Sequence, residues 1–302
     1  MILITGGTGL VGSELKNLLE SKGMEVSILS TKKGTAHSYW NPALKVVDKK
    51  LIFRAKHLIH LAGANIGAKR WTKARKIELY NSRVESLNFL FNQFKSNSHS
   101  LESVISSSAI GFYGLHTNEH IYSEQDTPGD DFLGKMSSDW ERAAQQFNKI
   151  GVRTAVIRAG IVLSKNGGIL KKILPLARLG LGSFQGTGKQ YMPWIHVHDL
   201  CRIYLFAITN SLIVGSYNGV APSHVNNCFF NKQLSAALQS RMFLPPLPEW
   251  LLNIAFGEMA NLITKGSKVS SQKISEEGFD FIYKDLRKSF NEILSNKFIY
   301  II

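Results

Sequence analysis

A chain of 302 residues is long enough to bury a sizeable core, as one large unit or two intimate lobes. Its two cysteines, Cys201 and Cys228, have no ligand spacing, which argues against a disulfide framework and a metal site. The formal charge of +14 is scattered over short pairs such as Lys32–Lys33 and Lys171–Lys172. That dispersal favours a basic solvated surface over a nucleic-acid-binding stripe, so no nucleic-acid partner is expected.

The N-terminal stretch "ILITGGTGLVGSELKNLLESKGMEVSIL" reads as strand, glycine turn, helix and strand. Val11, Leu15, Leu18 and Leu19 share one helical face, and Gly23 sits where a helix C-cap belongs. Gly6, Gly9 and Gly12 carry the spacing that lets backbone N–H groups approach a pyrophosphate at a helix N-terminus. The complete strand–turn–helix context makes Gly6, Gly7, Thr8, Gly9, Leu10, Val11 and Gly12 candidate dinucleotide-binding residues. Cofactor type is read after the second strand, where a carboxylate would select NAD(H). Here Thr31 and Lys32 follow Ser30, and no Asp or Glu occurs from Val26 to Val47. A lysine can meet a 2′-phosphate, so NADP(H) is preferred over NAD(H), with a solvated Lys32–Lys33 pair as the alternative.

"HLIHLAGA" is a buried strand whose end, Leu61, Ala62 and Gly63, lets the backbone come close to a cofactor. Lys69, Arg70 and Trp71 follow it. Arg83 lies in the next helix, whose core face carries Val84, Leu87, Leu90, Phe91 and Phe94. "SVISSSAIGFYG" brings serines to a strand end, and "TAVIRAGIVL" reads as one later strand containing Arg158. Alternating strands and helices predict an α/β fold, a Rossmann-type doubly wound parallel sheet with a smaller, mostly helical C-terminal lobe. The expected division is a nucleotide-binding domain over 1–165, rejoined by 196–222, with the substrate-side lobe over 166–302. Glycines 180, 182, 186 and 188 make a flexible segment beside Lys189, Gln190 and Trp194, which suits a polar or ring-bearing ligand. Asp199 is expected to cap the helix that follows it, and His196 to be a hydrogen-bonded structural residue. A first strand at Ile2 leaves no room for a leader, and the stretch from Leu251 to Ile263 is too short and interrupted to span a bilayer. A cytoplasmic protein with no membrane partner is the expectation.

The segments "TGGTGLVG", "HLAGA", "SSSAIGFYG" and "WIHVHDL" together resemble the extended short-chain dehydrogenase/reductase superfamily. "NIGAKRWTKARK", "SRVESL", the block from Gly167 to Leu200 and "GEMANLITKG" resemble its atypical epimerase-like branch. That branch carries the labels nucleoside-diphosphate-sugar epimerase and cell-division inhibitor. The resemblance implies a bound NADP(H), a small-molecule substrate and an active-site hydroxyl at Ser108. By superfamily analogy it also implies a homodimer. Arg158 is taken with the cofactor residues, and Lys69, Arg70, Trp71, Arg83, Gln190 and Trp194 with the substrate side. One departure is Thr31, where branch members commonly have arginine.

A second departure concerns chemistry. The superfamily pairs a tyrosine with a lysine four residues later on one helical face. Trp140, Ala143, Ala144, Phe147 and Ile150 mark the buried stripe of the helix after "GDDF", and that register puts Leu133 and Ser137 at the pair's positions. Nowhere in the chain does lysine follow tyrosine at that spacing; Tyr283 with Arg287 is the nearest imitation. Alternative proton donors are Tyr113, Glu124 and Lys135, with His116 nearby in sequence. The expected function is an NADP(H)-binding, epimerase-like oxidoreductase of unknown substrate; the alternative is a non-catalytic NADPH-binding regulator or interaction protein.

Overall fold

The computed structural model describes residues 1–34 and 36–295. Strand β1 (Ile2–Thr5) leads through the glycine turn into helix α1 (Leu10–Ser21), then β2 (Val26–Ser30) and β3 (Ser38–Tyr39). Helix α2 (Lys49–Arg54) precedes β4 (His57–His60). Helices α3 (Lys73–Tyr80) and α4 (Ser86–Lys95) are joined without a break by a π-helical turn, Asn81–Glu85. Strand β5 (Ser103–Ala109), a two-residue β6 (Ile121–Tyr122), α5 (Phe132–Gln145) and β7 (Arg153–Ala159) complete the first half.

Seven parallel strands form one sheet, ordered β10-β7-β5-β4-β1-β2-β3, where β10 is Gly215–Gly219. Successive strand residues face opposite layers, as the period of two requires. Ile4, Ile59, Ile105 and Ile157 pack with Leu15 and Leu19 of α1 and with helix α7 (Val197–Thr209). Leu3, Leu58, Val104 and Val156 pack with α4 and α5 on the other side, where the predicted faces of both helices are buried. The chain winds outward from β1 to β3, then returns to start β4 on the other flank of β1. Crossover direction therefore reverses between β1 and β4, the place where doubly wound sheets open a ligand crevice.

Two readings of the sequence need correction. "TAVIRAGIVL" is two strands, because the chain leaves the sheet at Gly160 and continues as β8 (Ile161–Ser164). Gly160 sits so close to the Pro193 carbonyl that a Cβ would lie 2.5 Å from its oxygen. β8 pairs instead with β9 (Trp194–His196). Asp199 does not cap α7. The helix starts earlier, with the His196 imidazole accepting from the His198 N–H, and the buried Asp199 carboxylate accepts from the Ile282 and Tyr283 N–H groups. Asp199 thus ties the C-terminal segment to the nucleotide-binding half.

Helices α6 (Gly168–Arg178) and α8 (Asn227–Ala237) build a second core with β8 and β9 around Trp194 and Phe230. The chain then runs through α9 (Glu249–Phe256), α10 (Asn261–Thr264), β11 (Lys268–Val269), α11 (Gln272–Glu276) and α12 (Leu286–Leu294). β11 pairs with β6, which draws residues 265–267 over the sheet's carboxyl edge. Among the described residues no helix is long and apolar enough to cross a membrane.

A buried ion pair fixes α5 against the sheet. Arg158 of β7 donates from Nε and Nη2 to the two carboxylate oxygens of Glu141, both at 2.8 Å. Ser108 and Ser216 also donate to that carboxylate, at 2.8 and 2.9 Å. With both partners almost fully buried, losing one leaves an uncompensated charge. Arg158→Met is expected to lower unfolding free energy by about 3–5 kcal/mol, and adding Glu141→Leu to recover most of it. Urea denaturation measures both; equal losses in the single and double variants would contradict this role.

His60, at the end of β4, is fully buried, with Nδ1 bonded to Thr5 at 2.8 Å and its ring edge-on to Trp140. Burial, opposed by a hydrogen bond with the Arg83 backbone, pulls its pKa from 6.5 to about 3. The unfolded chain therefore takes up this proton first. Its contribution is intact above pH 6.5 and declines as pH falls toward 3, by about 1.4 kcal/mol per unit. His57, His198 and His224 are also lowered, chiefly by burial, and add to the trend. The measurement is unfolding free energy between pH 7 and 4, with a shallower slope expected for His60→Gln than for the parent chain.

Candidate functional site

The glycine turn is shaped by backbone proximity. Gly6 has φ +70°, and a Cβ there would lie 2.7 Å from the Leu61 carbonyl oxygen. A Cβ on Gly12 would lie 2.3 Å from the Gly6 oxygen, and one on Gly7 would strike Ile28. The turn therefore closes directly against the segment after β4, and α1 packs down on the turn. Gly9 is the α1 N-cap and offers no side-chain cap, while Thr8 is exposed beside it. Leu10, Val11 and Gly12 lie in the first turn of the helix, and that turn contains no acidic residue. An uncapped helix N-terminus without negative charge is suited to an anion, so the residues present fit a dinucleotide pyrophosphate. Thr31 and Lys32 are exposed just beyond β2, with the Lys32 N–H held by the Ser30 hydroxyl. Ala62 is held by its N–H to Thr5 Oγ1.

Leu61 and Gly63 open into a cleft of about 440 Å³ at the carboxyl edge of the sheet. Its polar groups include Arg83, Ser108, Ser137 and Gln190. Its floor includes Leu133, Met136 and Trp140 from α5, and the two positions registered to the tyrosine and lysine, Leu133 and Ser137, both line it. Leu133 also belongs to an apolar cluster with Trp71, Leu79, Met136 and Met259. Ser108 is buried at the end of β5 and donates its hydroxyl proton to Glu141. Toward the cleft it therefore presents lone pairs. Gln190 donates Nε2 to the Gln185 and Ile263 carbonyls, while its buried Oε1 has no partner among the described residues. A ligand N–H or O–H would satisfy it.

The structure moves several expected residues away from this cleft. Arg158 is turned to Glu141, to the Tyr113 hydroxyl at 3.0 Å and to the Phe112 ring, so it is not a cofactor contact. Tyr113 lies behind the cleft, donating to Asn218 at 2.7 Å, and burial pushes its pKa up to about 12. Glu124 accepts from the Asn218 N–H on the same far side, and Lys135 is exposed on the outer face of α5. None of the three lines the cleft, which removes them as proton donors to a ligand there. Trp194 is fully buried in the C-terminal core, because β9 turns its side chain toward Leu163 and Leu170. Lys69 and Arg70 are exposed and outside the cleft; Trp71 lines a neighbouring cavity of about 250 Å³ behind Leu133. Tyr283 stacks on His196, itself bonded to Glu292, in a separate cavity beside α1.

Residues 265–267 form part of the roof, and sequence reasoning gave them no role. A signal was present in Gly266, where a Cβ would fall 2.0 Å from the Tyr191 carbonyl oxygen. Among the described residues Tyr191 is the one tyrosine lining the cleft, and its hydroxyl is engaged at the rim by Glu119 at 2.8 Å.

The chain matches the profile of the NAD dependent epimerase/dehydratase family over residues 2–218 and that of a domain of unknown function, DUF1731, over residues 247–293. It is 31% identical over 305 residues to the epimerase family protein YfhF of Bacillus subtilis, covering 98% of each chain. The crystal structure of human epimerase family protein SDR39U1 with NADPH superposes with a TM-score of 0.88 at 30% identity, over 98% of this chain and 99% of that one. The nucleoside-diphosphate sugar epimerase from Corynebacterium glutamicum superposes with a TM-score of 0.79 at 30% identity, over 97% of this chain and 57% of that one. The glycine turn and the crevice beside β1 thus lie within a profile matched over more than half of the sequence, and the chain belongs to the NAD dependent epimerase/dehydratase family.

Proposed function

We propose that this protein is an NADP(H)-binding, epimerase-like oxidoreductase acting on a small organic substrate without a tyrosine–lysine pair. The observation carrying this reading is the Gly6–Gly12 turn, packed against Leu61 and opening beside a cleft that contains Ser108. The NADPH in the human relative's structure supports the cofactor, as does Lys32 in place of a carboxylate after β2. A bound dinucleotide supplies hydride exchange at its nicotinamide. The α1 N-terminus would hold the pyrophosphate and Lys32 the 2′-phosphate. Ser108 would accept a hydrogen bond from a substrate hydroxyl, since its own proton is committed to Glu141, and in the carbonyl-reducing direction water would supply the proton that the product hydroxyl gains. Leu133, Met136 and Trp140 exclude water beneath the substrate, which strengthens each polar contact.

The second reading is a non-catalytic NADPH-binding regulator. It is favoured by Leu133 and Ser137 on the cleft wall, where a proton donor would otherwise stand.

Gly12→Ala is expected to weaken NADPH binding at least about tenfold in a nicotinamide-fluorescence titration, because the added Cβ displaces the turn. An unchanged dissociation constant would remove the turn from cofactor binding. Stereospecifically deuterated NADPH, incubated with nucleotide sugars, quinones and aldehydes, separates the two readings. Deuterium in a product, reduced about 100-fold in Ser108→Ala, is expected of the enzyme. NADPH binding with no transfer to any of these acceptors favours the regulator.

A further inference from the structure

Arg83 has an unusual situation for a cation. Its helix is interrupted by the π-helical turn Asn81–Glu85, a geometry that re-aims a side chain and recurs at functional sites. Nη1 donates to the Leu79 carbonyl at 3.1 Å and Nη2 to the Ala64 carbonyl at 3.0 Å. Nη1 also reaches the Ser82 hydroxyl at 3.4 Å, and Nε is left without a hydrogen bond among the described residues. The guanidinium lies 5.4 Å from the Trp140 ring centroid and so near Gly63 that a Cβ there would be 3.0 Å from Cζ. It lines the cleft, and among the described residues it forms no ion pair with a carboxylate. Burial, then the nearby Arg75, lowers its pKa to about 10, which leaves it charged at neutral pH. A largely desolvated cation held only by neutral groups, the two carbonyls, the Ser82 hydroxyl and the Trp140 ring, calls for an acceptor from a ligand.

The direction of that ligand follows from the neighbours. Gly63 lies in the segment after β4 that abuts the glycine turn at Leu61, and Trp140 lies one helical turn from Ser137 on the same face of α5. The guanidinium therefore sits over the part of α5 where the superfamily's lysine would emerge. We propose that Arg83, presented by the π-helical turn, supplies from the adjoining helix the cation absent at position 137 and hydrogen-bonds the nicotinamide-side ribose of the dinucleotide. This rests on the NADP(H) reading, and it moves Arg83 from the substrate side to the cofactor.

The test compares two probes: NADPH, and adenosine 2′-phosphate 5′-diphosphate, which has the adenosine end and both phosphates but no second ribose. Arg83→Met, which keeps much of the apolar stem, is expected to weaken NADPH at least about tenfold and to leave the diphosphate within about threefold. Arg83→Lys is expected to retain part of the NADPH affinity, and Arg83→Met with Ser137→Lys to restore it to within about threefold of the parent chain. Thermal melting of each variant reports folding; if Arg83→Met melts early, Arg83→Lys and the Ser137→Lys double variant carry the comparison. Equal weakening of both probes would assign Arg83 to the phosphates and overturn the proposal. So would unchanged NADPH binding, or no rescue by Ser137→Lys. A parent chain that binds the diphosphate and not NADPH also overturns it, whereas one that binds neither defeats the cofactor reading itself.

Discussion

Glu141 holds the candidate site together because one buried carboxylate serves three structural elements. It takes both forks of Arg158 from β7, the Ser108 hydroxyl from the end of β5 and the Ser216 hydroxyl from β10. Burying that charge would be costly without these donors, and each donor is in turn fixed by the carboxylate. The pair thus sets the depth of α5 against the sheet, and with it the level at which Leu133, Ser137 and Trp140 meet the cleft. It also decides the polarity of Ser108, whose proton faces inward.

The same constraint bears on positions 133 and 137, where the sequence register expects a tyrosine and a lysine. Position 133 is filled by a leucine that continues the apolar cluster with Trp71 and Met136, and position 137 by a buried serine. Neither leaves a buried charge without a partner. What α5 no longer offers in charge is present across the cleft, on the π-helical turn that carries Arg83. The C-terminal segment closes the arrangement: β11 pairs with β6, Ser267 donates to the Gly114 carbonyl, and Asp199 clamps Ile282 and Tyr283 to α7.

Much of the fold was legible because its signals are local. The apolar faces of α1, α4 and α5 and the glycines of the first turn report periodicities and backbone conformations that neighbouring residues enforce. The failures have a common cause. Nothing near Gly160 in sequence announces that the Pro193 carbonyl would press on it and break the strand, and Trp194 looked available to a ligand only until β9 was seen to face a core. Arg158, Tyr113 and Glu124 are the residue types that bind or catalyse. Tertiary contacts with Glu141 and Asn218 hold them behind the cleft instead.

The sequence by itself determined the doubly wound architecture, the glycine turn, the lack of a carboxylate after β2 and the absence of any tyrosine with lysine four residues on. Each depends on residue identity at short spacing. Only the tertiary structure decided which polar groups share the cleft: Ser108 with its proton turned to Glu141, and, among the described residues, Gln190 with an unpaired oxygen and Arg83 without a carboxylate. Those properties come from elements far apart in the chain meeting at the carboxyl edge of the sheet, where direction and burial, and not residue type, set what a side chain can do.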